Sequence, residues 1–393
     1  MDYMSFILNH KKWLVVVIVV VVILVVSGKD KDNNNQVATT SIDSSWISKE
    51  SSRPTYIGFT RWPPSFELAD IEHMYDFLSE HGDLMAHHFD GGIPWVEALD
   101  GAEYSDHLRD DWEFARSRTK SGHKVYVAIS PLADDRESLA KYWGETDNMA
   151  LPAPWKDYAL NQGEVKTAFL NYSKATIKFF DPDYLAIGIE VNIAIKNPEV
   201  WQAYKELYSY VYKELKAEYP DLQIFATISQ AHLEGLEDNM DVVKQKQELQ
   251  EFLKQNDVVG VSSYPYGFGG RTIKSFPETY FDSIIDLANG KPIAITETGM
   301  PSQNFKSHLF SYNFSEADQL NYINFLLRKS SEHKFEFIVN WVAVDFDKLV
   351  KDIPSLFARS LAMLWAYTGL ERSDGVAKPA LAVWDAYLAL PNK

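Results

Sequence analysis

The 393-residue chain contains no cysteine. No disulfide can therefore brace its fold, and no lipid-bearing cysteine can follow its apolar N-terminal run. Basic residues are also scarce, because 38 lysines and arginines stand against 55 aspartates and glutamates, for a formal net charge of −17. A chain this acidic is a poor partner for nucleic acid and for anionic membrane surfaces. The fold must be stabilised by its hydrophobic core alone.

One apolar run near the N-terminus predicts membrane targeting. Residues Trp13–Val26 form 14 consecutive apolar residues, preceded by Lys11 and Lys12. The run is shorter than the ~20 residues of a comfortable transmembrane helix and has the length of a signal-peptide core. Residues 1–28 are therefore predicted to be an apolar helix, either an uncleaved membrane anchor or a cleaved signal. Both alternatives place the rest of the chain outside the cytoplasmic membrane, because the lysines mark its inner side.

Two further segments follow the apolar run. Residues 29–53 are rich in asparagine, serine and threonine and have too little apolar surface to pack, so they are predicted to be a disordered, flexible linker. Residues 54–393 are predicted to form one catalytic domain. The chain has 21 tyrosines, 22 phenylalanines and 11 tryptophans, many of which fill a large core. Their flat faces are also of the kind that packs on sugar rings.

Short β-branched runs alternate with longer amphipathic stretches from Tyr56 onward. This pattern is typical of a parallel sheet covered by helices. Eight strands are predicted, which is the number that closes a (β/α)8 TIM barrel. They are Tyr56–Phe59, Leu84–His88, Val125–Ser130, Tyr184–Ile189, Gln223–Ile228, Val258–Ser263, Pro292–Thr296 and Phe335–Trp341. The long segments Pro131–Glu164 and Tyr264–Pro277 are predicted to be loops that line a site at the strand ends.

Two glutamates end predicted strands of this barrel. Glu190 follows the fourth strand and Glu297 the seventh. Such a pair suits a retaining glycoside hydrolase, in which one protonated carboxyl acts as acid/base and one ionised carboxylate attacks the anomeric carbon. Glu190 is predicted to be the acid/base and Glu297 the nucleophile. On the fourth strand, Glu190 shares its face with Ala186 and Gly188 if the alternation holds.

Other polar and aromatic residues at the strand ends are candidates for substrate binding. They are Arg61, Trp62, His88, Asp90, Trp95, Asn192, His232, Tyr264 and Trp341. Among them, Asn192 is a candidate for contacting a sugar 2-hydroxyl, and Arg61 and Tyr264 for holding the nucleophile charged. Trp62, Trp95, Trp155 and Trp341 are candidates for stacking on sugar rings.

The histidines after the second strand invite a metal-site interpretation. His87, His88 and Asp90, with the distant His232, are residue types that bind metals in some barrels. Adjacent residues on a strand point to opposite faces, however, so His87 and His88 are poorly placed to share an ion. Neither a metal nor a cofactor is predicted, and one of the two histidines is expected to join Asp90 in a sugar subsite.

These features resemble the clan A glycoside hydrolases. The resemblance rests on the paired glutamates, Tyr264, Trp341, and the segments Gly369–Gly375 and Lys378–Ala380. Within the clan, Ile295-Thr-Glu-Thr-Gly299 is most similar to the arabinogalactan endo-β-1,4-galactanases, and a sister family is the alternative. The resemblance implies a retaining mechanism, stacking by Trp341 and a hydrogen bond from Tyr264 to Glu297. One position departs from it, because the clan usually has asparagine where Ile189 precedes Glu190.

The predicted function is that of a retaining endo-glycoside hydrolase outside the cell. Its predicted partners are a β-linked, neutral polysaccharide, galactan-like in one alternative, and the membrane through the N-terminal segment. Two other functions stay open, a noncatalytic carbohydrate-binding barrel and a metal-dependent barrel hydrolase.

Overall fold

The computed structural model describes residues 44–237, 241–267 and 270–393. The predicted membrane segment and residues 29–43 of the predicted linker lie outside these residues. In the part of the chain that is described, no helix is long and apolar enough to cross a membrane.

Eleven strands are formed in the described residues. They are β1 (Tyr56–Thr60), β2 (Leu84–His88), β3 (Lys124–Ala128), β4 (Tyr184–Ala186), β5 (Gln223–Phe225), β6 (Thr227–Ser229), β7 (Val259–Ser263), β8 (Ile293–Thr298), β9 (Phe305–Ser307), β10 (Phe310–Tyr312) and β11 (Phe337–Asn340). Nine of them form one parallel sheet in the order β5-β4-β3-β2-β1-β11-β8-β7-β6. β9 and β10 form a separate antiparallel hairpin.

The sheet closes into a (β/α)8 barrel through β5 and β6. These two segments are separated only by Ala226 and together form the fifth strand of the barrel. β5 pairs with β4, and β6 pairs with β7. The backbone N–H of Thr227 also donates to the carbonyl oxygen of Gly188, which continues the contact between the fourth and fifth barrel strands. The predicted TIM barrel is therefore confirmed, with β8 as its seventh strand and β11 as its eighth.

In the described ranges, twelve helices cover or connect the strands. They are α1 (Leu68–Glu80), α2 (Trp95–Asp100), α3 (Asp106–Ser117), α4 (Gly163–Phe180), α5 (Pro198–Glu218), α6 (Gln230–Leu233), α7 (Val242–Phe252), α8 (Asp282–Ala288), α9 (Glu316–His333), α10 (Asp347–Asp352), α11 (Leu356–Ala362) and α12 (Pro379–Leu388). Short 3₁₀ segments span Ile47–Lys49, Trp155–Asp157, Val191–Lys196 and Leu253–Gln255. Side-chain caps begin several helices, such as Ser105 on α3 and Ser315 on α9.

Two hydrophobic layers stabilise the barrel. A small cluster that includes Tyr126, Ala186, Ile189 and Phe337 fills the interior of the barrel. A much larger cluster lies between the sheet and the helices. Strand alternation explains the division, because successive side chains of a strand point to opposite faces.

Residues 44–53 pack against the barrel, although the sequence predicted them as part of the linker. The Arg53 side chain is buried and pairs with Asp83 at 2.5 Å. Trp46 donates to Asn324 Oδ1 at 2.9 Å. Since Arg53 and Asp83 precede β1 and β2, this segment covers the N-terminal end of the barrel. The linker prediction is wrong for these ten residues. Trp46 and Arg53 hold the segment against the barrel, although most of the residues around them are polar.

Candidate active site

A cleft opens at the carboxyl ends of the barrel strands. Its lining residues come from β2, from the end of β8 and from the loops that follow the other strands. They are Trp62, His88, Asp90, Asp134, Arg136, Ile189, Glu190, Tyr264, Glu297, Trp341, Phe346, Leu361, Ala362 and Trp365. Both predicted catalytic glutamates therefore lie in one cleft, at the end of the fold where TIM barrels carry their active sites.

Glu190 reaches the cleft through a left-handed turn. Its backbone has φ 49° and ψ 41°, a conformation that costs a non-glycine residue about 1–3 kcal/mol. The Glu190 N–H donates to Thr227 Oγ1 at 2.9 Å, which holds the turn in place. The regular strand β4 ends at Ala186, and Ile189 belongs to the barrel interior. The predicted alternation over residues 184–190 is thus wrong beyond Ile187.

Gly188 has no room for a side chain. A Cβ atom at this position would lie 2.0 Å from Tyr204 Oη, and Tyr204 is fully buried in α5. The chain between β4 and Glu190 therefore passes close against α5. This contact requires glycine just before the turn that carries the acid.

Glu297 reaches the cleft through an irregularity in β8. Ile293 and Ile295 belong to the layer between the sheet and the helices, and strict alternation would place Glu297 with them. The pairing with β7 instead shifts by one residue between Ile295 and Glu297. A bulge of this kind turns the following side chain to the other face of a sheet.

Glu190 has the environment of a general acid. Burial, followed by the negative charge of Glu297, raises the pKa of its carboxyl. The positive charges of Arg136 and His232 oppose this shift. Arg136 Nη2 lies 3.4 Å from Glu190 Oε2. The two glutamates are close enough for one charge to disfavour the other, which is the arrangement that separates two carboxyl groups into an acid and an anion.

Each carboxyl oxygen of Glu297 has a polar side chain beside it. His88 Nε2 lies 3.2 Å from its Oε1. The Tyr264 hydroxyl donates to Oε2 at 3.4 Å, as the family resemblance implied. Burial and the charge of Glu297 raise the pKa of Tyr264 well above its ordinary value, so this hydroxyl remains a donor. A carboxylate that accepts from a tyrosine on one oxygen and has an imidazole at ion-pair distance from the other is suited to be the nucleophile.

The aromatic wall of the cleft is formed by three tryptophans. Trp62 and Trp341 were predicted, and their ring centroids lie 6.2 Å apart. Trp341 also makes a T-shaped contact with the His88 ring. Trp365 was missed, because it does not follow the end of a predicted strand. In the structure α11 ends at Ala362, and Trp365 lies in the turn that follows.

Four predicted binding residues do not line the cleft. Trp95 is completely buried, stacks on buried Trp155 at 5.4 Å and donates to the Ala140 carbonyl oxygen. Neither tryptophan can stack on a sugar, so both predictions are wrong. Arg61 forms a bidentate pair with Asp111 on α3 instead of holding the nucleophile. His232 pairs with Glu237 at 3.4 Å, and its positive charge lowers the pKa of Glu190.

Asn192 is the fourth of these residues, and its predicted sugar contact is wrong. Its side chain is fully buried, and Nδ2 donates to the Ser229 carbonyl oxygen and to Gln245 Oε1. Its Oδ1 accepts from the Ser229 N–H at 2.8 Å. Asn192 therefore fastens the 3₁₀ segment after Glu190 to β6.

This arrangement predicts a stability effect for Asn192→Ala. The substitution leaves three buried polar groups without a partner, so we expect unfolding to become easier by about 2–4 kcal/mol. Urea denaturation followed by circular dichroism measures this loss. The folded variant is expected to keep a KM within about threefold of the parent, since no side-chain atom of Asn192 faces the cleft. Loss of a sugar contact would instead raise KM. A large rise in KM with unchanged stability contradicts this assignment.

The two adjacent histidines face opposite sides of β2, as strand alternation predicted. His88 faces the cleft, with Nδ1 at 3.0 Å from Asp90 Oδ2. His87 is buried beside Phe180, and its Nε2 lies 3.0 Å from Thr119 Oγ1. Burial lowers the pKa of His87 to about 3, so it is neutral. Among the described residues, no group of three or more histidine, cysteine, aspartate or glutamate side chains is placed to hold a metal ion.

Arg136 and Asp134 are cleft residues that the sequence did not single out. They belong to the predicted site-lining loop between β3 and α4. Arg136 has φ 56°, and its Nη1 donates to the Ala133 carbonyl oxygen. This is the only arginine between Pro131 and Glu164. The sequence did contain a signal for Arg136, because a single arginine in a loop predicted to line the site is a candidate partner for the two glutamates.

Solved structures similar to this chain include several glycosidases. An exo-β-1,4-mannosidase from an Opitutaceae bacterium, strain TAV5, has a TM-score of 0.57 and 13% identity, over 86% of this chain and 59% of that one. An intracellular xylanase from Thermoanaerobacterium saccharolyticum has a TM-score of 0.51 and 13% identity, over 84% and 95%. A β-glucuronidase from Bifidobacterium dentium has a TM-score of 0.48 and 13% identity, over 87% and 49%.

The similarities to the mannosidase and the xylanase establish the fold. The chain spans about half of the glucuronidase and less than two thirds of the mannosidase. No protein-family model and no curated protein sequence matches the chain. The fold and the cleft together define a (β/α)8 barrel with a paired-carboxylate site.

Proposed function

We propose that this protein is a retaining glycoside hydrolase that cleaves β-linked, neutral sugars by double displacement. The observation that carries the proposal is the pairing of Glu190 and Glu297 in one cleft, with opposite surroundings. Glu190 is kept protonated and donates its proton to the leaving oxygen. Glu297 is kept ionised and attacks the anomeric carbon. Trp62, Trp341 and Trp365 supply aromatic faces for the sugar.

The charges of the cleft favour a neutral substrate. Its two cationic side chains already face carboxylates: His88 faces Asp90 and Glu297, and Arg136 faces Glu190. Asp134 adds a further carboxylate to the lining. A uronic acid would bring its own negative charge among these groups, which is unfavourable in a partly buried site. We infer that glucuronides are poor substrates.

The experiment that tests the proposal is an activity screen of the purified protein against polysaccharides and aryl glycosides, with analysis of the products. A β-galactan is included because of the resemblance in Ile295–Gly299. Product lengths distinguish endo from exo cleavage, and the configuration of the first product distinguishes retention from inversion. Hydrolysis of a β-linked neutral substrate with retention supports the proposal, and no hydrolysis across the panel contradicts it.

The pKa of Glu190 predicts the pH dependence of the first step. Glu190 must be protonated to act as an acid, and its pKa is raised, so kcat/KM falls as the pH rises through this elevated value. The charge of Arg136 lowers the same pKa. We therefore expect Arg136→Met to move the basic limb of the kcat/KM profile to higher pH, while Arg136→Lys leaves it nearly in place. A basic limb that is the same in both variants and the parent contradicts the assigned contact.

We further propose that the enzyme acts outside the cytoplasmic membrane and is held there by its N-terminal segment. The apolar run Trp13–Val26 after Lys11 and Lys12 supports this location. Arg53 lies just before β1 and pairs with Asp83 just before β2. The chain therefore enters the barrel at the N-terminal end of its strands, opposite the cleft. Fractionation of cells that express the full chain, with protease treatment of intact cells, tests both the location and the attachment.

A further inference from the structure

His88 lies between two carboxylates. Its Nδ1 is 3.0 Å from Asp90 Oδ2, and its Nε2 is 3.2 Å from Glu297 Oε1. The side chain is only 8% exposed. An ionised carboxylate only accepts hydrogen bonds, and a neutral imidazole has a proton on just one nitrogen. The Nδ1 contact is a hydrogen bond, whereas the Nε2 contact with Glu297 is an ion-pair distance without hydrogen-bond alignment. A carboxylate on each side of a buried ring attracts positive charge, so the geometry favours an imidazolium.

The charged groups around His88 support this protonation state. Burial lowers its pKa, but the adjacent Asp90 and Glu297 outweigh burial and raise the pKa to about 10. The pKa of Asp90 is lowered by His88, Arg136 and Arg61 in spite of burial. The neutral Trp341 ring also packs against the imidazole in a T-shaped contact, with centroids 5.2 Å apart. His88 therefore stays charged through neutral pH.

We propose that His88, held by Asp90, is a positioning residue that stabilises the charge of Glu297 and thereby speeds its release from the glycosyl-enzyme. This inference rests on the proposed function. It assigns His88 and Asp90 a role other than the sugar contact predicted from the sequence.

Glu297 loses its negative charge in the first step and regains it in the second. In the first, Glu297 forms a bond to the anomeric carbon while the bond to the leaving oxygen breaks, and that oxygen takes the proton of Glu190. Glu297 becomes a neutral ester. In the second, the oxygen of a water bonds to the anomeric carbon, a water proton passes to Glu190, and the ester bond breaks with its electron pair returning to Glu297. A cation beside Glu297 favours the second step, in which negative charge develops next to it.

His88→Gln tests the proposal with an aryl glycoside whose leaving group is activated, so that the second step limits kcat. We expect kcat to fall about 10–100-fold, with kcat/KM within about threefold of the parent and KM falling in proportion to kcat. A burst of one aryl group per enzyme is expected to become more pronounced. An equal fall of kcat and kcat/KM, without a burst, overturns the proposal. His73→Gln is the control, since His73 is half exposed and pairs with Glu371 outside the cleft.

Asp90→Asn tests the partner of His88. In the second step Glu190 acts as a base, so loss of its proton does not impair kcat on the activated substrate. When the second step limits kcat, the basic side of the profile reports His88 in the glycosyl-enzyme, where Asp90 still raises its pKa but the neutral ester of Glu297 does not. We therefore expect kcat of the parent to decline at a pH below the free-enzyme pKa of about 10. In Asp90→Asn the imidazolium loses its proton at lower pH, so the basic decline moves to lower pH. An unchanged profile overturns the role of Asp90.

A measurement without substrate separates this inference from the proposed function. Spectra of the protein with ¹⁵N-labelled histidine at pH 8 are expected to contain the signal of a ring with both nitrogens protonated that is absent from His88→Gln. An active enzyme in which His88 is neutral at pH 8 overturns the inference. A protein that shows the imidazolium but hydrolyses no glycoside overturns the proposed function instead, and the catalytic role of His88 with it.

Discussion

Glu297→Gln is expected to lower kcat by about 10⁴-fold or more on every substrate that the parent hydrolyses. The amide has nearly the shape of the carboxylate but cannot attack the anomeric carbon. Tyr264 and His88 both face the oxygens of Glu297. The glutamine side chain fits the same space, so the variant is expected to fold but to lack the nucleophile. The loss is expected to be equally severe for good and poor leaving groups, because both need the nucleophile. Initial rates on an aryl glycoside and on the natural polymer measure it.

The control for this variant is Glu278→Gln. Glu278 is exposed and pairs with Arg328 and Lys329 far from the cleft. It reports the effect of losing one carboxylate elsewhere on the barrel, and kcat is expected to stay within about twofold of the parent. A Glu297→Gln protein that is folded by circular dichroism and retains more than a tenth of the parent activity contradicts the nucleophile assignment.

The effect of Glu190→Ala is expected to depend on the leaving group. A poor leaving group needs the proton of Glu190, so kcat/KM on the polymer is expected to fall roughly 10²–10⁴-fold. An activated aryl group leaves without help, so kcat/KM on that substrate is expected to change little. Its kcat falls, because the second step lacks the base that Glu190 supplies. Kinetics on a series of aryl glycosides of graded leaving-group pKa measures the difference.

Added azide shows whether Glu190 is the acid/base or the nucleophile. A small anion can enter the space that the Glu190 side chain leaves and attack the glycosyl-enzyme without a base. Azide is therefore expected to restore kcat of Glu190→Ala on the activated substrate and to produce the β-glycosyl azide. An α-glycosyl azide contradicts the assignment, because it requires direct displacement and would make Glu190 the nucleophile.

The barrel was predictable because its signal is repeated eight times. Each buried strand is a short run of β-branched and apolar residues, and each covering helix has its own amphipathic period. The predicted bounds of Leu84–His88 agree with β2, and those of the other strands differ by one to three residues. The elements that were missed lie outside this repeat. Among them are α2, α12 and the hairpin of β9 and β10.

The residues of the site were harder to predict than the fold. Proximity to a strand end put Trp95 and Asn192 among the binding candidates, yet both are fully buried. Whether a side chain after a strand faces the cleft or the core depends on the path of its loop. Arg136 shows the converse, because a left-handed backbone in the loop after β3 brings it beside Glu190.

The two glutamates show most clearly where sequence and structure divide. The sequence by itself determined the barrel, the positions of Glu190 and Glu297 at the ends of its fourth and seventh strands, and the chemistry that such a pair suggests. Strict alternation does not bring both side chains into the cleft, because Glu297 shares its parity with Ile293 and Ile295 on the helix side.

Only the tertiary structure decided how the two carboxyls converge. Glu190 depends on a left-handed turn held by Thr227 of the neighbouring strand, and Glu297 on a register shift against β7. Both departures are set by contacts with other strands, so no local pattern encodes them. The same packing buries Glu190 next to Glu297 and places His88 and Tyr264 against Glu297. The raised pKa of Glu190 and the contacts that Glu297 receives are therefore properties of the assembled barrel mouth.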